Sequence, residues 1–364
     1  MTITLKRTEE QLELLKAMAS RNRDVAYEAQ AALGSFMGPI LAEVINNAPA
    51  LSNLFTTLSF NPDDNPSIPL DLYYDITAED YITVYSQSMP GGLPTNHVAP
   101  TASELKFTTY NLDSAVSFDK RYASKSRLDV VGKTFTRVAQ EILLKQERTS
   151  ANLVLGTLAD SPTHLLTSEF AGRFLLADLN SLITKSKRVN ESWSGGTPVN
   201  KRSGVTDLLV SPEIIEDIRG MAYNPINTKI GVESITSTAG QAAVGIAAPD
   251  DIRRGLFNDS GEMASFFGVN LMEIYQLGPL ADGNQFTKIF NGLSAMTRSD
   301  LVLGLDLSRD SLFRAVVLDS ESGAEFTLAA DDQYSVRQQK IGYYGSVEEG
   351  RMVLDKRAIF GVEV

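Results

Sequence analysis

Two strongly β-forming runs, Tyr81-Ile82-Thr83-Val84-Tyr85 and Glu104 to Phe118, are separated by a segment that no tight hairpin can hold. That segment, Ser86 to Ser103, carries Pro90, Gly91, Gly92, Pro94 and Pro100, whereas a compact hairpin loop has about 2–5 residues. The chain must therefore project an extended β-arm with an irregular tip. An isolated two-stranded arm is marginal in water, so this one gains order by lying on another surface.

The flanking sequence is more regular. From Thr8 to about Leu33 helix formers dominate, with Leu12, Leu15, Met18 and Ala19 on one stripe, which predicts a long amphipathic helix. Gly34, Gly38 and Pro39 are expected to interrupt it, a short helical piece follows through Ile45, and Pro49, Pro62, Pro66 and Pro69 then forbid regular structure. Residues 1–69 read as an arm. After the β-arm a long helix is predicted from about Leu128 to Leu155, ending near Gly156, with Val131, Phe135, Val138 and Ile142 on one face. A helix around Leu175 to Arg188 precedes a loop holding Trp193. Leu208-Leu209-Val210 is a short strand, with Ser211 as N-cap and Pro212 as first helical residue of the segment that follows. The Gly-, Ala- and Ser-rich stretch Thr228 to Ala248 reads as a surface loop, and β-prone runs recur at Arg314–Leu318, Glu325–Leu328, Ser335–Val336 and Ala358–Val364. The sum is an α+β chain.

Composition removes several functions. The chain has 364 residues and no Cys, which excludes disulfides, thiolate metal sites and cysteine nucleophiles. Its formal net charge of -12 argues against a protein whose main task is gripping phosphates. The first residues turn polar before any apolar core of a signal peptide forms, and no apolar run reaches membrane-spanning length, so no membrane role is expected. His97 and His164 are isolated and read as plain loop residues; no cofactor or metal is expected. Val131-Gly132-Lys133-Thr134 imitates the end of a phosphate-binding loop, but Arg127 stands where that motif needs Gly. The acidic pairs Asp63/Asp64, Asp250/Asp251, Asp331/Asp332 and Glu348/Glu349 read as solvated surface carboxylates. The most basic stretch contains Lys120, Arg121, Lys125, Arg127, Lys133 and Arg137, a charged strip that faces either a neighbouring subunit or nucleic acid.

Particular fragments, in their order, carry a family resemblance. Phe118-Asp119 leads through Arg127-Leu128-Asp129 into the long helix, and Glu147 to Gly156 resembles that helix's exit. Asp207 to Pro212, Phe267-Gly268-Val269-Asn270-Leu271-Met272 and the stretch from Asp332-Gln333-Tyr334 to Arg357-Ala358-Ile359-Phe360 follow. Together they resemble the Hong Kong 97-type major capsid proteins of tailed double-stranded-DNA bacteriophages. The resemblance implies an N-terminal arm over residues 1–69, an extended β-hairpin E-loop over 70–118, and a peripheral (P) domain with a spine helix over 119–200. An axial (A) domain over 201–325 and closing P-domain strands over 326–364 complete it.

That family implies a non-enzymatic chain assembling with itself as hexamers and pentamers into an icosahedral or prolate head, in the virion capsid and, during assembly, the host cytoplasm. Tyr81, Val84, Pro90, Gly91, Gly92, Leu105 and Phe107 are the expected E-loop contacts between subunits. Portal, separate scaffolding and decoration proteins are the expected partners, with packaged DNA a weak, non-specific neighbour. Only the arm precedes the E-loop, so scaffolding is expected from a separate protein. An encapsulin-like compartment shell shares the same features, and a hydrolase built on carboxylates such as Asp331 and Asp332 is the alternative of a different class. Some family members weld their shells by an isopeptide bond between an E-loop Lys and an Asn near the end of the chain. Here Ser86 to Ser103 lacks Lys and no Asn follows Asn291. Particles boiled in detergent should therefore run as a single band of monomer mass, 39.6 kDa, with no ladder of linked rings.

Overall fold

In the computed structural model, residues 8–48, 50–69, 104–125, 127–193, 204–223, 265–266, 268–275, 277–278, 300–319, 323–331 and 338–364 are described. The helices are α1 (Glu9–Met18), α2 (Arg23–Asn46), α3 (Lys120–Ser124), α4 (Leu128–Ala159), α5 (Leu176–Trp193) and α6 (Pro212–Tyr223). The first strands are β1 (Thr56–Phe60), β2 (Ser67–Pro69), β3 (Glu104–Lys106), β4 (Tyr110–Asp119), β5 (Leu165–Thr167) and β6 (Asp207–Val210). There follow β7 (Ser265–Phe266), β8 (Val269–Glu273), β9 (Leu301–Leu305), β10 (Leu312–Val317), β11 (Thr327–Asp331), β12 (Lys340–Val353) and β13 (Ile359–Glu363). The chain divides into two compact units, the first holding residues 1–66, 106–153 and 312–352, the second 67–105, 154–311 and 353–364.

The first unit is a sheet covered by helices. Its strands run in the order β1-β10-β12-β11, and β4 pairs with β12 as well. β1 lies parallel to β10 with Thr56 opposite Phe313, and β4 runs antiparallel to β12 from Asp119 opposite Lys340 to Tyr110 opposite Glu349. Strand alternation then sends Phe118, Ile341, Tyr343 and Val347 to one face, where they join Leu15, Met18, Leu33, Met37, Leu41, Val131, Phe135 and Ile142 in one buried cluster. Tyr343 is its centre. The ring stacks with Phe118 at 6.3 Å, meets Phe135 edge-on at 5.3 Å, and its hydroxyl reaches Met18 Sδ at 3.9 Å. Burial pushes that phenol well above its ordinary range.

The N-terminal segment departs from its expected form in two ways. The helix break falls at Ala19–Asn22, where the Asn22 side chain caps α2 by accepting from the Asp24 amide. Gly34, Gly38 and Pro39 lie inside one continuous helix. Gly34 serves close approach, since a Cβ on it would stand 2.7 Å from the Leu328 carbonyl oxygen, whereas one on Gly38 would make ordinary contact, 3.4 Å from that of Phe326. Pro39 faces solvent, where water can satisfy the carbonyl left without its amide partner. Because Leu15, Met18, Leu33, Met37 and Leu41 are core residues of the unit, this segment is part of the fold and does not wait for a neighbour to order it.

The second unit carries a sheet ordered β5-β13-β9-β6-β8-β7. β6 runs parallel to β8 and antiparallel to β9, and β13 is antiparallel to β9 and parallel to β5. Phe174, Leu179, Leu182, Leu208, Ile214, Ile218, Val302 and Phe360 form its core. The Ser211 hydroxyl accepts from the Ile214 amide at 3.3 Å as the N-cap reading requires, and donates to Asp300 Oδ2 at 2.6 Å. The expected closing segment 326–364 is divided: β11 and β12 stay in the first unit, while β13 joins the second through its pairing with β9. α4 continues past Gly156 to Ala159, and α5 reaches Trp193, where a loop was expected. The strand at Tyr81–Tyr85, the arm's tip, Thr228–Ala248 and Ser335–Val336 lie outside the described residues.

The glycines give a paired test. Gly34→Ala should destabilise the protein by about 1–3 kcal/mol despite alanine's better helix propensity, because the added carbon meets backbone and not a movable side chain. Gly156→Ala, where nothing lies within 4 Å, should stabilise it by up to ~1 kcal/mol. Thermal denaturation of the two variants reads both signs.

Candidate functional site

Within the first unit, strand alternation gives the sheet two chemically different faces. Opposite the core side, β4 exposes Asn111, Asp113, Ala115 and Ser117. Tyr344 of β12 stands between Ala115 on one side and Ala329 on the other, and is 41% exposed. Glu348 and Asp331 share this face by register. Asp113, Asp119, Glu348 and Asp331 make the face acidic on balance, with Lys340 at the start of β12 on the same face. On the helix side, α4 turns Val131, Phe135, Val138 and Ile142 inward. Lys133 and Arg137, one turn apart, occupy the opposite and exposed stripe.

The residues of the charged strip expected from sequence differ in exposure. Arg121, Lys125, Arg127, Lys133 and Arg137 are all exposed, while Lys120 is half-buried at the start of α3, its amide donating to the Gln339 carbonyl. The Arg127 amide donates to the Tyr122 carbonyl at 3.0 Å, which folds the end of α3 back toward α4. Tyr122 is itself 44% exposed. Of the expected E-loop contacts, Phe107 is buried, its ring 6.2 Å from Phe60, and so serves this chain's own first unit; Leu105 is half-buried on β3. Tyr81, Val84, Pro90, Gly91 and Gly92 lie outside the described residues.

Two sequence readings of polar residues are corrected. The pair Glu348/Glu349 is not two solvated carboxylates, because adjacent strand positions face opposite ways and Glu349 is fully buried. Its carboxylate accepts from Arg314 Nε at 2.8 Å, Tyr110 Oη at 3.0 Å, Gln146 Nε2 at 3.1 Å, and Arg351 through Nε and Nη2 at 3.3 Å each. Arg314 Nη1 continues to Asn46 Oδ1 at 3.1 Å, and Arg351 Nη1 to the Ser52 carbonyl at 2.7 Å, with its guanidinium over the Phe55 ring at 5.2 Å. Beside it, the buried Glu147 carboxylate accepts from the amides of Leu51 and Ser52 at 3.1 and 2.9 Å, holding the short turn that leads into β1. Every lone-pair direction of Glu349 is engaged by a donor, so the group is a clamp and has no capacity left for acid-base work. His164 is likewise no plain loop residue: its ring stacks on Phe360 at 4.8 Å, and Nδ1 donates to the carbonyls of Ile359 and Lys356 at 3.1 and 3.2 Å. Burial lowers its pKa. His97 lies outside the described residues.

The architecture has known counterparts. No family model matches the chain, and no curated protein matches it in sequence. Among solved structures, the capsid of an empty GTA particle superposes with a TM-score of 0.51 at 12% identity, over 87% of this chain and 90% of that one. The fold is that of a Hong Kong 97-type capsid subunit. A structure of Microbacterium phage Oxtober96 gives a TM-score of 0.50 at 11% identity over 86% of this chain and 90% of that one. An encapsulin complex from Synechococcus elongatus gives 0.41 at 14% identity over 72% and 76%. The capsid fold thus spans both units of this chain.

The electrostatics of the clamp set a pH test. Burial alone would raise the Glu349 carboxyl, but Arg351 and Arg314 together hold it below the ordinary value of 4.5. A depressed folded pKa contributes stability above the unfolded value and loses it as pH falls through the folded one. Burial raises Glu147, with the Leu51 and Ser52 amides opposing, so that neighbour acts with the other sign. Tyr110 is pushed up to about 12, first by burial and then by Glu349. Glu349→Gln should cost about 3–5 kcal/mol near neutral pH because it leaves two buried guanidiniums short of an anion. Melting curves across pH should show the gap to the parent narrowing as pH drops below 4.5.

Proposed function

We propose that this chain is the shell-forming subunit of a tailed-phage-type head, assembling with itself as hexamers and pentamers around a double-stranded DNA genome. The observation that carries the reading is the match to a capsid chain along nearly the full length of both proteins, 87% of this one and 90% of that one. A likeness confined to one unit would fit many roles; a shared order of helices and strands through both units fits one built for a shell. The clamp supports the same role, because a wall element needs rigidity and the Glu349 network ties β4, α4, β10, β12 and the segment before β1 into one body. In this reading the chain is structural and catalyses nothing. Its first unit, with α4 as spine, corresponds to the P-domain and its second to the A-domain. The E-loop residues Tyr81, Val84, Pro90, Gly91, Gly92 and Leu105 lie against neighbouring subunits, portal, scaffolding and decoration proteins complete the head, and the particle forms in the host cytoplasm.

A closed shell built from one chain needs head-to-tail contacts that close into rings, with rings that then meet each other. Negative-stain imaging of the purified protein, paired with sedimentation, tests this. Closed particles, or rings of five and six, are the expected result. A compact monomer that stays monomeric at high concentration and with its scaffold would end the proposal.

A further inference from the structure

The two faces of the first unit differ in charge, and this asymmetry has a use. Arg121, Lys125, Arg127, Lys133 and Arg137 are exposed on α3, its turn and the first turns of α4, and none has an ion-pair partner among the described residues. Asp129 and Glu141 are the exposed carboxylates of that stretch. The far face of the same unit, around Tyr344, carries Asp113, Asp331 and Glu348. In a chain of net charge -12, five exposed cations against two exposed carboxylates over α3, its turn and the start of α4 are a local departure from the field of the whole molecule.

We propose that this helix surface binds the phosphate backbone of duplex DNA, without reading sequence, and that it is the side of the first unit turned toward the lumen of the shell. The binding stands on the cations alone; the inward placement rests on the shell reading. Guanidinium and ammonium groups on exposed helix turns meet phosphate oxygens without desolvating a partner, and Tyr122 supplies a further hydroxyl beside them. The rival occupant is the acidic sheet face of a second copy, and the assembly readout of the test below separates it from DNA. Binding through three to five phosphates is weak at physiological salt and steeply dependent on it, with a slope of log K against log salt of about -3 to -5.

The test is anisotropy of a labelled short DNA duplex titrated with the full-length protein from about 50 to 200 mM salt, over which affinity should fall about 10²-fold. Lys133→Glu with Arg137→Glu should lower affinity by about tenfold or more and make the slope shallower by about 2. The neutral pair Lys133→Gln with Arg137→Gln should flatten the slope equally, without added repulsion. Lys187→Glu with Arg188→Glu changes net charge by the same amount at exposed positions of α5 and should leave the slope unchanged. Equal loss in both charge-reversed proteins, or no salt dependence in the parent, overturns the proposal. So does a Lys133/Arg137 variant that stops assembling while its DNA affinity stays, since that marks the strip as a contact between subunits. Unassembled parent subunits that bind no DNA, drawn from protein that does form particles, sink this inference alone; DNA affinity without particles sinks the shell reading alone.

Discussion

A single carboxylate with no access to water sets the elements of the first unit in place against one another. Stripping water from Glu349 costs several kcal/mol, and the cost is offset only because two guanidiniums, an amide and a phenol converge on it. Those partners sit on β4, α4, β10 and β12, and through Arg314 and Arg351 the network extends to Asn46 and Ser52. Apolar packing around Tyr343 supplies the larger share of stability, since it is non-directional and covers more surface. The clamp decides which way the elements are set against each other. A helix can slide on a greasy sheet by a fraction of a turn at small cost, whereas five donors aimed at two oxygens tolerate little displacement.

Close approach is the second constraint, and glycine provides it. Gly34 lets α2 rest on the Leu328 backbone, Gly345 leaves room for the Phe326 ring at 2.5 Å from where its Cβ would be, and Gly350 admits the Thr108 carbonyl at 2.7 Å. These positions explain what could and could not be read from the chain. The spine helix α4 and the β6-Ser211-α6 junction were legible because their signals are local: a repeat of buried apolar residues in one, a cap and a proline in the other. β12, at 14 residues the longest of the described strands, is not legible locally because Gly342, Gly345, Gly350 and the pair Glu348/Glu349 all argue against a strand on local propensity. Its partners on both sides overrule that preference. β9 went unseen for a different reason, its short apolar run being buried on both faces and so showing no alternation.

The candidate surface divides the same way. Exposed cations at helical spacing can be found by counting, and the strip from Arg121 to Arg137 was. The acidic character of the opposite face could not, because Asp113, Asp331 and Glu348 come from three strands whose register is set by tertiary pairing. Nor could the burial of Glu349, which differs from Glu348 only in the parity of its strand position.

The order of strands in the first unit also governs how the chain comes into being. β1 begins at Thr56, yet the strand beside it, β10, starts at Leu312, and β12 ends at Val353. Translation at about 5–20 residues per second leaves β1 and the apolar stripe of α2 without their sheet for roughly 15–60 seconds. During that interval Leu33, Met37 and Leu41 have α1, and later α4, but not their sheet to pack on, and the parallel pairing of β1 must close a loop of most of the chain, which is slow. The sheet of the first unit is therefore completed only when nearly the whole chain has been made.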